Sequence, residues 1–443
     1  MKNTIGTLGV ILFMLYGTLL FAQVDTAWVN RYNGPGNGTD YGTAIAVDDM
    51  GNTYVTGVSD GNGSGNDYAT IKYNPEGDTL WVRRYNGPGD YTDEAYAMAV
   101  DGLGNTYITG KSLGDGTHYD YATIKYNSTG DTLWVRRYDG TASSADEANA
   151  IAVDNAGNVY VTGESSGSGT GVNYATIKYN PEGDTLWVRR YDGTGTTGDY
   201  GYAVVVDDLG NVYVTGYSFS MGTSFDYVTV KYDPDGVMLW VQTYNGPASS
   251  TDMPYAMAVD GSGNIYVTGK SLGTSYDYAT VKYNPNGDTI WVRRYDGPGS
   301  GTDNAYAIAV DNAGNTYITG VSVGSGTGKD YATIKYDPEG NTLWVRRYDG
   351  PGNGTDEAYA IAVDDSGNVY VTGESVGSGT YYDYATIKYN PDGDVLWIQR
   401  YDAQVADDDG GSAIAIDNAG NTYVTGYSYS TSYDYVGCVC RFN

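Results

Sequence analysis

Eight tryptophans divide this chain into near-copies of one unit. They stand at Trp28, Trp81, Trp134, Trp187, Trp240, Trp291, Trp344 and Trp397. Six of the seven gaps between them are 53 residues and the remaining gap is 51. A period near 50 residues is typical of a propeller blade or a solenoid coil, and it constrains the fold more than any other feature of the sequence.

Each unit contains four runs of strand type. They are "AIAVD" (Ala360–Asp364), "NVYVTG" (Asn368–Gly373), "YATIKY" (Tyr384–Tyr389) and "LWVRRY" (Leu343–Tyr348). Gly, Asn, Asp and Pro bound the runs, and no segment has a helical period. Charge rises from the first run to the fourth, as expected when the strands of a blade pass from a packed axis to a wet outer edge.

The first run recurs eight times, beginning at Ala44, Ala97, Ala150, Ala203, Ala256, Ala307, Ala360 and Ala413. The tryptophan run also occurs eight times, but its first copy, "AWVNRY" (Ala27–Tyr32), precedes every other element. The chain ends on a third run, "CVCRFN" (Cys438–Asn443). The sequence therefore predicts an all-β fold, an eight-bladed β-propeller whose N-terminal strand completes the last blade.

The pattern "AIAVDxxGNxYVTG" followed by "DYATIKYNPxGDTLWVRRY" resembles the bacterial SBBP beta-propeller repeat family. The resemblance extends over nearly all of residues 27–443. It implies a secreted or surface propeller with no agreed biochemical activity, and it transfers no catalytic residue. The family name implies seven blades, whereas this sequence counts to eight.

Residues 1–22 have the pattern of a signal peptide. Lys2 is followed by an apolar stretch and then by small Ala22. An uncleaved membrane anchor is the alternative. We therefore expect residues 23–443 to form a single propeller domain of a secreted protein, extracellular or periplasmic and monomeric. The formal charge of −30 argues against nucleic acid or an anionic membrane as its partner.

Few residues offer catalytic chemistry. His118 is the one histidine of the sequence and lies in a Gly-rich loop, so we interpret it as a surface residue. Cys438 and Cys440 replace Ala and Ile of other units and are interpreted as small buried hydrophobes, with a metal or redox role as the alternative. The turn "GDTLW" resembles turns of quinoprotein and sialidase propellers, where it locks blades together. We predict no catalytic residue and no cofactor other than calcium.

The long loops are expected at one end of the propeller, opposite the short "DDSGN" and "NPEGD" turns. They are the second-to-third connections, such as Glu164–Asn173, and the blade-to-blade connections, such as Asp349–Ala360. Long loops on a rigid scaffold are where binding usually resides. Asp48 and its equivalents lie at the opposite end, where we expect each to open a hairpin.

Acidic and tyrosine residues recur where each blade-to-blade connection meets the inner strand. They are predicted to ring the loop-rich mouth of the channel: Asp40, Asp93, Glu94, Tyr96, Asp146, Glu147, Asp199, Tyr202, Asp252, Tyr255, Asp303, Tyr306, Asp356, Glu357, Tyr359, and Asp407 to Asp409. One interpretation is a weak calcium site or a mouth for a cationic or carbohydrate ligand. The other is that each Asp caps a turn and each Tyr fills a gap between blades.

Two functions remain open. The first is a non-catalytic interaction or structural module that binds a protein or a glycan through its loop-rich face. The second is an extracellular glycan hydrolase or quinoprotein-like enzyme on a propeller scaffold. An enzyme should break the eightfold pattern at the channel mouth with polar residues from two or three blades. In the sequence the ring of aspartates is nearly uniform, which favours the first.

Overall fold

Eight four-stranded antiparallel sheets build the protein. The computed structural model describes residues 25–114, 118–142, 144–195, 198–379, 381–403, 408–429 and 435–442. The predicted signal peptide lies outside these residues. No helix of the described chain is long and apolar enough to cross a bilayer.

The strands fall into four sets by their distance from the axis. The innermost strands are Asp40–Val47 (β2), Asp93–Val100 (β6), Asp146–Val153 (β10), Asp199–Val206 (β14), Asp252–Val259 (β18), Asn304–Val310 (β22), Asp356–Val363 (β26) and Asp409–Ile416 (β30). The second strands are Thr53–Gly61 (β3), Thr106–Leu113 (β7), Val159–Gly167 (β11), Val212–Ser220 (β15), Ile265–Leu272 (β19), Thr316–Val323 (β23), Val369–Val376 (β27) and Thr422–Tyr429 (β31).

The outer two sets follow in chain order, so the fourth strands begin with β1, which belongs to the same sheet as β30. The third strands are Gly65–Tyr73 (β4), Tyr119–Tyr126 (β8), Gly171–Tyr179 (β12), Ser224–Tyr232 (β16), Tyr276–Tyr283 (β20), Lys329–Tyr336 (β24), Tyr382–Tyr389 (β28) and Tyr435–Phe442 (β32). The fourth strands are Thr26–Tyr32 (β1), Thr79–Tyr85 (β5), Thr132–Tyr138 (β9), Thr185–Tyr191 (β13), Met238–Tyr244 (β17), Thr289–Tyr295 (β21), Thr342–Tyr348 (β25) and Val395–Tyr401 (β29). We number the blades 1 to 8 from β2 to β30.

The N-terminal strand closes the ring. β1 pairs antiparallel with β32, and the last sheet has the order β1-β32-β31-β30. The innermost strand of blade 8 also packs against that of blade 1. The predicted eight blades and their closure by the N-terminal strand are both confirmed, and closure removes the open side that a broken ring would expose.

Each tryptophan joins its own blade to the next one. Trp187 is 7% exposed, and its ring centre lies 6.2 Å from that of Tyr160 in blade 3 and 6.0 Å from that of Tyr232 in blade 4. Its Nε1 donates to the Pro234 carbonyl of blade 4 at 3.1 Å, and Lys178 Nζ donates to the same oxygen at 2.9 Å. A buried aromatic ring and a shared acceptor therefore hold neighbouring blades together.

The arginine pairs of the fourth strands also connect blades. Arg83 Nε donates to the Gly130 carbonyl of the next blade at 2.5 Å. Arg84 turns back into its own blade and forms an ion pair of 2.8 Å with Asp67, and it donates to the Tyr32 hydroxyl of the preceding blade at 3.1 Å. The sequence predicted charged strands at the wet rim. Each guanidinium carries five N–H donors, and several of them bind acceptors within the blade or in its neighbours.

Two predicted boundaries are wrong. The connection Glu164–Asn173 was expected to be a long loop, but β11 and β12 continue through it and pair up to Gly167 and Gly171. Gly169, at a φ of +86°, provides the tight turn that lets this ladder continue. Likewise, the innermost strands begin four residues before the predicted start in blade 1, at Asp40, with a bulge between Gly42 and Ala44. Most of the candidate residues therefore lie at the beginning of the strands, whereas Asp303 and Asp408 lie in the connections just before β22 and β30.

Cys440 is fully buried beside Val424 and Phe442, in agreement with its interpretation as a core residue. The side chain of Cys438 lies outside what the structure describes. His118 is exposed in the connection before β8.

Candidate functional site

The predicted ring of aspartates lies beneath the surface of the loop-rich end. In every blade one carboxylate is at most 1% exposed and accepts a hydrogen bond of 2.6 to 2.9 Å from a main-chain amide six residues earlier. The aspartates are Asp40, Asp93, Asp146, Asp199, Asp252, Asp303, Asp356 and Asp409. These contacts are those of turn caps, so the geometry agrees with the capping interpretation. Ligand binding by these carboxylates stays a prediction.

Burial dominates the electrostatics of these aspartates. It raises the pKa of Asp93, although the Gly87 amide and the Ser112 hydroxyl act in the opposite direction. It likewise raises the pKa of Asp409, to about 6. A carboxylate taken out of water loses hydration that two or three hydrogen bonds replace incompletely.

Three of the capping aspartates share their surroundings with two further carboxylates. In each group, carboxylate oxygens of the three residues lie within 4.8 Å of one another. The groups are Asp120, Asp139 and Asp146; Asp277, Asp296 and Asp303; and Asp330, Asp349 and Asp356. An arginine is bound in each: the ion pairs Arg137–Asp120, Arg294–Asp277 and Arg347–Asp330 are each 2.7 Å long. The guanidinium already supplies a positive charge to these carboxylates, and calcium binding there stays a prediction.

At the opposite end of the channel, Asp48 has the role expected from the sequence. Its Oδ1 accepts from the amides of Met50 and Asn52, and its Oδ2 accepts from the Tyr54 hydroxyl at 3.0 Å. Neighbouring hairpins of this kind border polar clefts, and the one between blades 6 and 7 has a volume of about 430 Å³. The sequence alone gave no indication of these clefts.

Half-buried tyrosines line part of the loop-rich mouth. Tyr202, Tyr255, Tyr306 and Tyr359 come from the innermost strands of blades 4 to 7, and successive ring centres are 6.4, 5.6 and 5.7 Å apart. We call these four residues the tyrosine arc. The same position is Thr43, Asn149 and Ser412 in blades 1, 3 and 8. The mouth therefore departs from eightfold symmetry although the aspartates beneath it do not.

Glutamates and lysines interrupt the remaining part of the mouth. Glu94 and Glu147 are the second residues of β6 and β10, and Lys111 Nζ lies 3.4 Å from a carboxylate oxygen of each. The Tyr96 hydroxyl donates to Glu94 at 2.6 Å. On the other side of the ring, Lys329 Nζ of blade 6 lies 2.8 Å from Glu357 of blade 7.

In two blades, a glutamate of the innermost strand lies directly opposite a glutamate of the second strand at this mouth. In blade 7, Glu357 is opposite Glu374, which accepts hydrogen bonds of 2.8 Å from the hydroxyls of Tyr359 and Tyr427. In blade 3, Glu147 is opposite Glu164. Like charges directly opposite each other destabilise a sheet unless donors or cations compensate them.

The two pairs differ in this compensation. No hydrogen bond or ion pair within the described chain reaches the Glu164 carboxyl, whereas Glu374 accepts two hydrogen bonds. Tyr217 has the place that Tyr427 has in blade 8, but its ring packs against Tyr202, with ring centres 5.5 Å apart. Burial and then the charge of Glu147 raise the pKa of Glu164 to about 7.

The sequence identified the innermost-strand residues of the mouth but missed their partners on the second strands, which are Lys111, Glu164, Glu374 and Tyr427. The available signal was the register of the first hairpin, because that register places Lys111 opposite Glu94 and Glu164 opposite Glu147. The predicted uniformity holds for the aspartates. It does not extend to the side chains around the opening.

Eight radial four-stranded sheets, joined blade to blade and closed through the N-terminal strand, define a β-propeller. The SBBP beta-propeller repeat matches the chain at residues 27–63, 80–116, 133–169, 187–220, 240–277 and 343–379. The chain belongs to the SBBP beta-propeller repeat proteins.

An uncharacterized WD repeat-containing protein of Acanthamoeba polyphaga mimivirus is 23% identical to this chain over 406 residues. The alignment covers 81% of this chain and 26% of that protein, so the chain spans about a quarter of the relative's length.

Two solved structures illustrate the similarity of fold. A puromycin hydrolase mutant in complex with PGG has a TM-score of 0.51 at 13% identity, over 88% of this chain and 59% of the hydrolase. The periplasmic gluconolactonase PpgL of Pseudomonas aeruginosa has a TM-score of 0.48 at 13% identity, over 77% of this chain and 94% of that enzyme. The likeness to the hydrolase shows the fold alone, and it carries no activity across at this identity.

Proposed function

We propose that this chain is a secreted or cell-surface interaction module that binds a partner protein around the loop-rich mouth of its channel, without a catalytic step. The mouth departs from eightfold symmetry as that of an enzyme would, so this departure does not separate the two functions. The observation that carries the proposal is the tyrosine arc, in which four neighbouring blades present aromatic rings at the mouth. Where a side chain packs blade against blade, as Trp187 does, the repeats keep the same residue. The mouth positions vary from blade to blade, so blade packing does not dictate them.

The composition of the mouth fits the binding of a protein. The tyrosine arc offers aromatic surface with a polar end, and Tyr202 is 36% exposed. Tyrosine contributes large contact area at small cost in conformational entropy, and it is enriched at protein interfaces. Glutamates and lysines around the arc supply the charges that select a partner and orient it.

Binding assays with two matched variants test this proposal. The mouth variant carries Tyr202→Ser and Tyr255→Ser. The control carries Met50→Ser and Leu103→Ser on the opposite face, where these side chains are 80% and 81% exposed. Both are compared with the unchanged chain in pull-downs from extracellular fractions and on glycan arrays.

We expect loss of the bound protein with the mouth variant and retention with the control. Loss with the control alone would place binding on the opposite face and refute the proposal. If the chain binds glycans but no protein, the partner would be a glycan and not the proposed protein.

The second candidate function is an extracellular glycan hydrolase. It is favoured by one observation, the facing carboxyls of Glu147 and Glu164 and the raised pKa of Glu164. Glycan hydrolysis commonly uses a protonated and an ionised carboxyl group. Hydrolysis of any glycan that is lost in both Glu147→Gln and Glu164→Gln would establish this function in place of the first.

A further inference from the structure

The mouth already holds an ammonium group of the chain itself. Lys111 Nζ lies 3.4 Å from the carboxylates of Glu94 and Glu147, and it is 5.6 Å from the ring centre of Tyr96 and 4.9 Å from that of Tyr119. Carboxylates neutralise the charge, and the faces of the aromatic rings attract the cation. Carboxylates and aromatic faces at this position therefore hold an alkylammonium group of the chain itself.

The aromatic part of this site recurs at the equivalent position of blade 5, where Met253 instead of a glutamate lies opposite the lysine. Lys270 Nζ lies 5.6 Å from the ring centre of Tyr255 and 4.9 Å from that of Tyr276. Lys111 and Lys270 both stand on the second strand, opposite the second residue of the innermost strand. The fold therefore places an ammonium group at this position in two blades.

In blade 3 the equivalent position is Glu164, and the surrounding groups are again a carboxylate and tyrosines. Glu147 faces it across the strands. Tyr217 of blade 4 has the place from which Tyr427 of blade 8 donates to Glu374, the equivalent of Glu164. The ring centres of Tyr200 and Tyr202 lie 4.8 and 5.5 Å from that of Tyr217, and after burial the charge of Glu164 contributes to raising the pKa of all three. Blade 3 thus presents the same types of group as blade 2, but a carboxylate replaces the lysine.

We propose that Glu147, Glu164 and the ring of Tyr202 bind the ammonium group of a lysine side chain of the partner protein. This inference rests on the proposed function and names the chemistry that the mouth recognises. Glu94, Glu147 and Glu164 together carry three carboxyl groups against the single ammonium of Lys111, so an incoming cation improves the local charge balance.

An alkylammonium group fits this site better than a metal ion does. Calcium takes six to eight oxygen ligands, and aromatic faces supply none of them. An ammonium group donates three hydrogen bonds to carboxylates and gains further from an adjacent ring.

The ionisation of Glu164 is consistent with this role. Burial, Glu147 and Asp146 raise its pKa, and Lys111 lowers it. The nearby Tyr200, Tyr202 and Tyr217 are uncharged at neutral pH because the ordinary pKa of tyrosine is about 10, and burial raises the pKa of each further. A bound cation favours the ionised carboxyl, so binding should tighten as pH rises through about 7 and should release protons.

Isothermal titration calorimetry of residues 23–443 with the peptide acetyl-Gly-Gly-Lys-Gly-Gly-amide tests this inference. The control peptide carries an acetylated lysine, which keeps the side chain but removes its charge. The variants are Glu164→Gln and, as matched control in the other facing pair, Glu374→Gln. Circular dichroism at each pH confirms that both variants are folded.

We expect the lysine peptide to bind at pH 8, with affinity about tenfold to a hundredfold weaker in Glu164→Gln and within about twofold of the original in Glu374→Gln. Acetylation of the lysine should remove binding. Equal affinity of the acetylated peptide, or an unchanged affinity in Glu164→Gln, would overturn the inference.

The outcome separates this inference from the proposed function. A partner protein that is lost with the Tyr202→Ser, Tyr255→Ser variant but retained by Glu164→Gln would refute lysine recognition and leave the interaction module intact. Absence of any partner at the mouth would refute both.

Discussion

The tryptophan contact between blades can be tested by Trp187→Ala. The indole is 7% exposed and packs between Tyr160 and Tyr232. Its Nε1 binds the Pro234 carbonyl, and the Arg189 guanidinium lies 5.6 Å from its ring centre. The substitution removes this buried ring, leaves a cavity between two blades and leaves the carbonyl with fewer donors.

The expected cost is about 3–5 kcal/mol, the range for truncating a buried Trp or Phe to Ala. The entropy of unfolding is about 2.1 cal/mol/K per residue, or roughly 0.9 kcal/mol/K for a chain of 443 residues. If the ring unfolds as one unit, the melting temperature should fall by about 3–5 °C. If the ring unfolds in parts, the melting temperature of the part that contains Trp187 should fall by more than this.

The assay is thermal unfolding followed by tryptophan fluorescence and calorimetry, together with urea unfolding. Leu186→Ala is the matched control, because this neighbour on the same strand is 52% exposed and should change the free energy of unfolding by less than about 0.5 kcal/mol. Equal effects of the two substitutions would refute the assignment of Trp187 to blade packing.

Three further outcomes are expected. Removal of residues up to Tyr32 deletes β1 and exposes the outer side of β32. The melting temperature should therefore fall sharply relative to a control that lacks residues 1–23, and equal melting curves would contradict ring closure. The pKa of Glu164 is about 7 in the folded protein, above its ordinary value of 4.5, so the folded state binds this proton more tightly than the unfolded chain does. The stability that results from this difference is fully present below pH 4.5 and is lost as the pH rises through 7. Glu164→Gln should therefore stabilise the protein by about 1–2 kcal/mol at pH 8, after allowance for solvent screening, and should have no effect at pH 4.5. Urea unfolding at both pH values measures this difference, and an effect that does not depend on pH would disprove the electrostatic explanation. Millimolar calcium should raise the melting temperature by more than sodium at equal ionic strength, and Asp349→Asn should reduce that excess; identical shifts with the two salts would leave the carboxylates as turn caps.

The sequence was sufficient for the architecture because the repeat is nearly invariant. Eight tryptophans, eight copies of each strand and one displaced N-terminal strand determine the number of blades and their closure. The strand ends were harder to predict. Glu164 to Gly167 and Gly171 to Asn173 are polar and Gly-rich, which is typical of a loop, yet the ladder of β11 and β12 continues through them because hairpin pairing depends on backbone geometry rather than on apolar side chains.

The candidate site was predicted in part. Asp93 and its equivalents were found, but their burial depends on how the preceding connection folds over them, as in the contact of Asp93 with the Gly87 amide. The residues around the opening needed a cross-strand register that no single run of sequence provides. Glu164 and Lys111 occupy equivalent positions in different repeats, and their roles follow from the neighbours that each blade brings to them.

The closure strand has a kinetic consequence. β1 begins at Thr26 and its partner β32 ends at Phe442, so the first strand of the propeller to be synthesised pairs with the last strand of the propeller. At about 5–20 residues per second, translation of the intervening chain takes roughly 20–80 s. Throughout that interval the backbone groups of β1 have no partner, and blades formed in the meantime make an open arc that a neighbouring chain can extend. The last step of folding is therefore the formation of a contact with very long sequence separation. We expect dilution during refolding to raise the yield of native protein, whereas the stability of the folded protein should depend little on concentration.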